Sequence, residues 1–257
     1  MRTVAALAKH SFLEVLRKKD FYVFLMFLGG LLLFFSHETF FNVSGISRYL
    51  KDVGFSLITM FSMIIAVTFS AKQLPQEIES KTIYPLLAKP VSRNEVVCGK
   101  LLGAFLIAAF SFTVFFILFT LSVFLKEKTI ASPVLFVQSY VLALCQLALI
   151  SSISMLLSLF LTLSANITLV FLLYFLVSWY NGMLRDAMLT MKGAVYFLYS
   201  TVYYLLPHFE FYDVKTRLVH DWNPLSLWII AALAAYAFVY IALTINITFA
   251  VFKRKNL

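Results

Sequence analysis

The stretch VLFVQSYVLALCQLALISSISMLLSLFLTLSANITLVFLLYFLVSWY, residues 134–180, runs for 47 residues without one charged side chain. A bilayer's hydrocarbon core is about 30 Å thick and takes roughly 20 apolar residues as a helix. Forty-seven is too many for one crossing and suits two helices joined by a tight turn. The polar run near 158–166, around Ser164-Ala165-Asn166, is where that turn is expected. The entrance is marked by Ser132-Pro133, a capping residue followed by a proline at the first helical position. The reading predicts membrane helices over 134–157 and 166–182.

Working outward, four more apolar runs have the same character. One covers 21–41 after Asp20, and one covers 53–71 after Asp52. Another covers 97–125 after Ser92-Arg93-Asn94-Glu95, whose S-x-x-E spacing is a capping box. The last covers 225–252 and follows Asn223-Pro224. The fold class is therefore all-α: a polytopic membrane protein with six transmembrane helices in a single domain. The first span is the shortest, since its purely apolar part, 21–35, rises only about 22 Å at 1.5 Å per residue. The segment 195–206 is only a dozen residues long, too few to cross, and is read as a re-entrant or interfacial piece.

Composition supports the same class. The 257 residues are 62% hydrophobic and 13% charged, against roughly 45–50% and 25% for a soluble domain. The two cysteines, Cys98 and Cys145, lie in or beside apolar runs, so neither a disulfide framework nor a Cys-rich metal site is expected. The net charge of +9 belongs to loops at an anionic leaflet and not to a nucleic-acid footprint. With six spans both termini share a side. That side holds thirteen Lys and Arg residues, among them Arg2, Lys72, Lys89 and Lys253, against eight on the other, such as Lys51, Lys126 and Lys215. The bias places both termini in the cytoplasm.

The N-terminal 20 residues read as an amphipathic helix and not as a cleavable signal. Val4, Leu7, Ala8, Phe12, Val15 and Leu16 recur at three and four residues, with Arg2, Lys9, Glu14 and Arg17 between them. Such a helix is expected in the headgroup plane. The loop 72–96 is the longest on the inner side and the most charged. Pro75 is expected to start a short helix running to about Tyr84, a rod parallel to the membrane that displays Glu77, Glu79 and Lys81.

Glu77-x-Glu79-x-x-Thr82-x-x-x-Leu86-Leu87-x-x-Pro90-Val91-Ser92-Arg93-x-x-x-x-x-Gly99-Lys100 resembles the signature loop of the ABC type-2 membrane permeases. The amphipathic start, the six spans and the external aromatic segment 183–224 resemble that family too, with Ser80 standing where members commonly carry Gly. The resemblance implies the transmembrane subunit of an ABC exporter, a homodimer or heterodimer in the inner (plasma) membrane. A separate cytoplasmic ATPase would drive it through the coupling helix in 72–96. It implies polar docking contacts from Glu77 and Glu79, an apolar seat from Leu86 and Leu87, and an ion pair or lipid headgroup contact from Arg93, in a coupling loop that also holds Lys81, Thr82 and Pro90. Pro207, His208, Phe209, Glu210 and Asp213 are candidates for an external gate. A scaffold or maturation factor of the same fold is the alternative.

No catalytic residue, cofactor or metal is expected. A phosphate-binding loop needs G-x-x-x-x-G-K-[ST], but Asn94 occupies the first Gly position and Leu101 follows Gly99-Lys100. His208, Glu210, Asp213, His220 and Asp221 carry metal-ligating groups without a compact motif. The spans hold no Asp, Glu, His, Lys or Arg away from their ends, as an intramembrane enzyme or proton relay would require. Their polar residues, such as Gln146, Ser151, Ser152, Ser154 and Asn246, are of the kind that bridges helices, and Gly99-x-x-x-Gly103 permits close helix approach.

Overall fold

The computed structural model describes residues 2–17, 19, 22–23, 25–27, 29–31, 46–79, 93–128, 132–190 and 193–254. In chain order these form α1 (Arg2–Leu16), α2 (Ile46–Glu79), α3 (Arg93–Glu127), α4 (Pro133–Leu157), α5 (Leu163–Thr190) and α6 (Ala194–Leu205). A 3-10 turn (Phe209–Tyr212), α7 (Lys215–Val219) and α8 (Leu227–Arg254) follow. Five of these helices, α2, α3, α4, α5 and α8, are long and apolar enough to cross a bilayer. Of the expected first span, the pieces 22–23, 25–27 and 29–31 are helical and 32–41 lies outside the described residues. The Phe27 ring is 6.1 Å from that of Phe61 on α2, and Gly29 approaches Leu118 on α3. The chain is an all-helical, multi-pass membrane protein.

The longest helices overrun the boundaries read from hydropathy. α2 begins at Ile46 and ends at Glu79, where the sequence suggested 53–71. Its 34 residues make a rod of roughly 51 Å, well beyond the hydrocarbon core. Asp52 does not cap it, because Lys51 finds carboxylate partners and the helix can extend past the charges. Pro75 does not start a separate helix either; it lies inside α2. Leu74, beside it, is fully buried in a cluster with Val97 and Leu101 of α3 and Phe252 of α8, and these contacts hold the chain in line across the missing N–H.

The 47-residue apolar stretch divides at 158–162, earlier than Ser164-Ala165-Asn166. Those three residues open α5 instead. Asn166 reaches back over the turn, its Nδ2 donating at 2.9 Å to the Ser154 carbonyl, which also accepts the Ser158 N–H at 3.0 Å, so the side chain ties α5 to the end of α4. α5 then continues to Thr190, past the expected 182.

The core lies between α2, α3, α4 and α5. Phe55 of α2, Phe112, Phe116 and Phe119 of α3, and Phe136 and Tyr140 of α4 form a run of rings with centroids 5.3–6.3 Å apart. The Tyr140 hydroxyl meets Thr113 Oγ1 at 2.8 Å, so the polar tip is satisfied at depth. α8 lies outside α4 with few of its residues buried, Ala237, Thr248 and Phe252. Its start is fixed by Gln138, which donates through Nε2 to the Leu225 carbonyl and accepts from the Leu225 N–H, both at 2.9 Å.

α1 seats its small face on the start of α3. A Cβ added at Gly99 would lie 2.8 Å from Leu7 Cβ, and one at Gly103 would lie 2.6 Å from Ser11 Cβ. The G-x-x-x-G therefore receives the N-terminal helix. Ala8 and Ser11 are buried there, while Lys9 and His10 remain exposed.

Candidate functional site

The helix bundle has two charged ends. At the end carrying α1, Lys100 is 4% exposed, and its Nζ donates to Glu77 Oε1 at 2.5 Å. Glu77 therefore turns into the bundle, where the sequence reading had displayed it for docking. The reason is electrostatic: an unpaired ammonium at Lys100 would be buried at high cost, and Glu77 is the carboxylate within reach. Glu79 is exposed at the end of α2. Arg93 opens α3. Lys81, Thr82, Leu86, Leu87 and Pro90 lie outside the described residues. Thr3 Oγ1 donates to Glu95 Oε1 at 2.6 Å, so α1 is also tied to the first turn of α3.

At the opposite end, Lys51 is fully buried with two carboxylates around it. Its Nζ is 2.9 Å from Glu127 Oε1 and 2.9 Å from both oxygens of Asp221. Asp221 occupies a left-handed backbone conformation, φ +51°, which Asp tolerates better than most residues. Beside this cluster Lys215 Nζ pairs with Asp52 Oδ1 at 3.0 Å. Sequence reasoning counted Lys51 and Lys215 among loop charges. Their partners are remote in the chain, and no local spacing signals the pairing.

The residues proposed as an external gate are wedged against the bundle. His208 and Phe209 are buried, Pro207 and Glu210 half-buried, and Asp213 exposed. The Tyr236 hydroxyl lies 3.1 Å from both the His208 backbone N–H and its Nδ1. Phe211 stacks on the imidazole, and Tyr203 meets it edge-on. Burial pushes the His208 pKa below its ordinary value of 6.5, with Glu210 pulling the other way. The Tyr212 hydroxyl donates to the Leu233 carbonyl at 2.9 Å. Among the described residues no three His, Cys, Asp or Glu groups converge for a metal: His208 faces Tyr236 and Asp221 faces Lys51.

Between the two ends lies a cavity of about 220 Å³. Its walls come from Phe55, Met60 and Met63 of α2, Phe112 of α3, Leu147 of α4 and Phe175 of α5, with Tyr212, Asp213 and Lys215 closing one side. Gln146 lines it as well. Its Nε2 donates to the Tyr174 hydroxyl at 3.3 Å and, at 3.5 Å, to the Phe209 carbonyl. Of the serines read as helix-bridging, Ser154 donates to the Val67 carbonyl of α2, while Ser152 donates within α4 to the Leu149 carbonyl.

The profile of the family described as ABC-2 family transporter protein matches residues 5–257. The chain belongs to that family. No curated protein matches it. As an ABC-2 protein it is a membrane permease component of an ABC transporter, and the family implies association with an ABC ATPase. The charged ends of this ABC-2 permease thus flank a bundle whose interior carries the cavity lined by Gln146.

Proposed function

We propose that this ABC-2 permease is one half of a dimeric exporter, worked by a separate ATPase that docks at the end carrying α1. The observation that carries the reading is the Lys100–Glu77 pair. It bolts the end of α2 to the start of α3, the two helices that the segment 80–92 links in the chain. A push on that segment is then delivered to two rods that run the length of the bundle. Thr3 and Glu95 bring α1 into the same joint. Exposed Glu79 is the polar contact for the ATPase, and Arg93 flanks it, with Lys81, Thr82, Leu86, Leu87 and Pro90 completing the docking segment.

The excess of Lys and Arg at this end supports cytoplasmic termini in an inner membrane. The exposed apolar side chains of α5, such as Phe175, Trp179 and Met183, suit a second permease copy related by a two-fold axis, with lipid around both. The absence of a phosphate-binding loop from the sequence agrees with ATP hydrolysis on another chain.

The test is reconstitution with the cognate ATPase. Glu79→Lys is expected to lower permease-stimulated hydrolysis and transport together while membrane insertion is unchanged. Failure of any ATPase to respond to the permease would overturn the reading in favour of a scaffold. ATP turnover by the isolated chain would overturn it outright.

A further inference from the structure

The geometry points to a binding site for a small cationic amphiphile, an ammonium on an alkyl or single-ring tail, in the cavity between α2, α4 and α5. This deepens the permease reading by giving the cargo a chemical class, yet it is measured as binding, without the ATPase.

The size argument comes first. An apolar cavity of about 150 Å³ takes a benzene ring, so about 220 Å³ holds one ring with a short chain, or an alkyl chain of similar bulk. Phe55, Met60, Met63, Phe112, Leu147 and Phe175 make an apolar wall in which two thioethers can adapt to tail shape. The site is too small for a folded polypeptide or a whole diacyl lipid.

Charge gives the head. Two charged residues line the cavity, Asp213 and Lys215. The Lys215 ammonium is committed to Asp52 at 3.0 Å. The Asp213 carboxylate receives one backbone N–H, from Lys215, at 3.0 Å and no side-chain cation among the described residues. The neighbouring groups do not reverse the sign. Lys51 is held by Glu127 and Asp221, and Arg217 is turned to the Asn223 carbonyl and the Trp222 ring. Deeper in, Gln146 spends its Nε2 on Tyr174 and Phe209, and its Oε1 bonds to no described residue. The cavity therefore offers an ammonium a carboxylate at the rim, the Gln146 amide oxygen, and two aromatic rings, Tyr174 and Phe175, in its lining. An anionic head would meet Asp213 unshielded.

Such a head could arrive on a free organic amine or on an ethanolamine lipid with one chain inserted. Full-length protein in phosphatidylglycerol nanodiscs, dialysed against labelled hexylammonium, 1-hexanol or hexyl sulfate with empty nanodiscs as the blank, separates the possibilities. Saturable binding is expected, with hexylammonium preferred about tenfold over the other two. Asp213→Asn should erase the preference over hexanol. Ala143→Phe should abolish saturable binding by filling the cavity; Thr59→Phe fills the same space from the half-exposed rim if the first variant does not fold. Displacement by added phosphatidylethanolamine identifies the lipid as the source, and lack of displacement identifies the free amine; both support the site. Binding no greater than the blank, preference for the sulfate, or indifference to both filling variants would overturn it, with the ATPase-coupled reading left intact.

Discussion

Lys51 and Asp221 stand 170 residues apart in the chain, yet the Lys51 ammonium lies 2.9 Å from each oxygen of the Asp221 carboxylate. Glu127 completes the pairing from the end of α3. The three residues close one end of the bundle by joining α2, α3 and the segment before α8. Burying an ammonium is costly by itself, and here two carboxylates offset the loss of water.

Removal of Lys51 is expected to be worse than removal of either partner. Lys51→Ala leaves Glu127 and Asp221 facing each other and should cost about 3–5 kcal/mol. Asp221→Asn should cost less, because Asp221 is 33% exposed and Glu127 still holds the cation. Thermal unfolding of the purified variants checks the order. A Tm for Lys51→Ala equal to that of Asp221→Asn would contradict it.

Acid should loosen the 207–213 segment. Burial lowers the pKa of His208 in the folded protein below 6.5, so below that pH the unfolded chain binds more protons than the folded one. Stability consequently falls as pH drops from about 6.5 toward the folded pKa, and the loss levels off beneath it. A protonated imidazole would carry two N–H donors, and Nε2 has no partner here. Proteolysis or hydrogen exchange at 203–212, followed from pH 7.5 to 5, should show opening that His208→Phe flattens. An identical pH profile in the variant would exclude His208 as the cause.

The crossings were legible in the sequence wherever length and apolarity alone decide them: the charge-free 47-residue stretch yields two helices, as counted. Boundaries were less legible, because hydropathy stops at the first charge and the helix does not. Lys51 and Lys100 lie beyond or at the edge of their apolar runs, and each stays helical because a carboxylate from elsewhere meets it. Those partners are set by tertiary packing, which no window along the chain can read. The same limit applies to Glu77. Its spacing suggested a docking surface, but the position of Lys100 across the joint decides where it points. Gln138 was overlooked for a related reason: a lone amide in an apolar run has no local signature, and its partner is the backbone of Leu225.

The seat of α1 gives a third expectation. With Cys98 and Cys145 replaced by Ala, a Thr3→Cys, Glu95→Cys pair should be joined by a short bifunctional thiol crosslinker that spans the length of the lost Glu95 side chain, since Thr3 Oγ1 and Glu95 Oε1 meet at 2.6 Å. Adding Gly103→Val should suppress the crosslink, because the new Cβ would collide with Ser11 Cβ at 2.6 Å, too close to the backbone to swing aside. Undiminished crosslinking would mean that α1 can shift along α3 without losing its register.

The joint beneath the docking segment separates structure from coupling. Glu77→Lys sets a second ammonium against Lys100 in place of its carboxylate partner, and it should destabilise the bundle by about 3 kcal/mol. Reversing both, Glu77→Lys with Lys100→Glu, restores opposite charges across the same joint and should recover most of that loss. If Glu77 acts through the joint, ATPase coupling returns with stability in the double variant. If Glu77 instead touches the ATPase directly, stability returns while coupling stays lost. Unfolding midpoints and permease-stimulated hydrolysis, measured on the same four proteins, tell the two apart, because the non-additive part of each cycle isolates the pair from its surroundings.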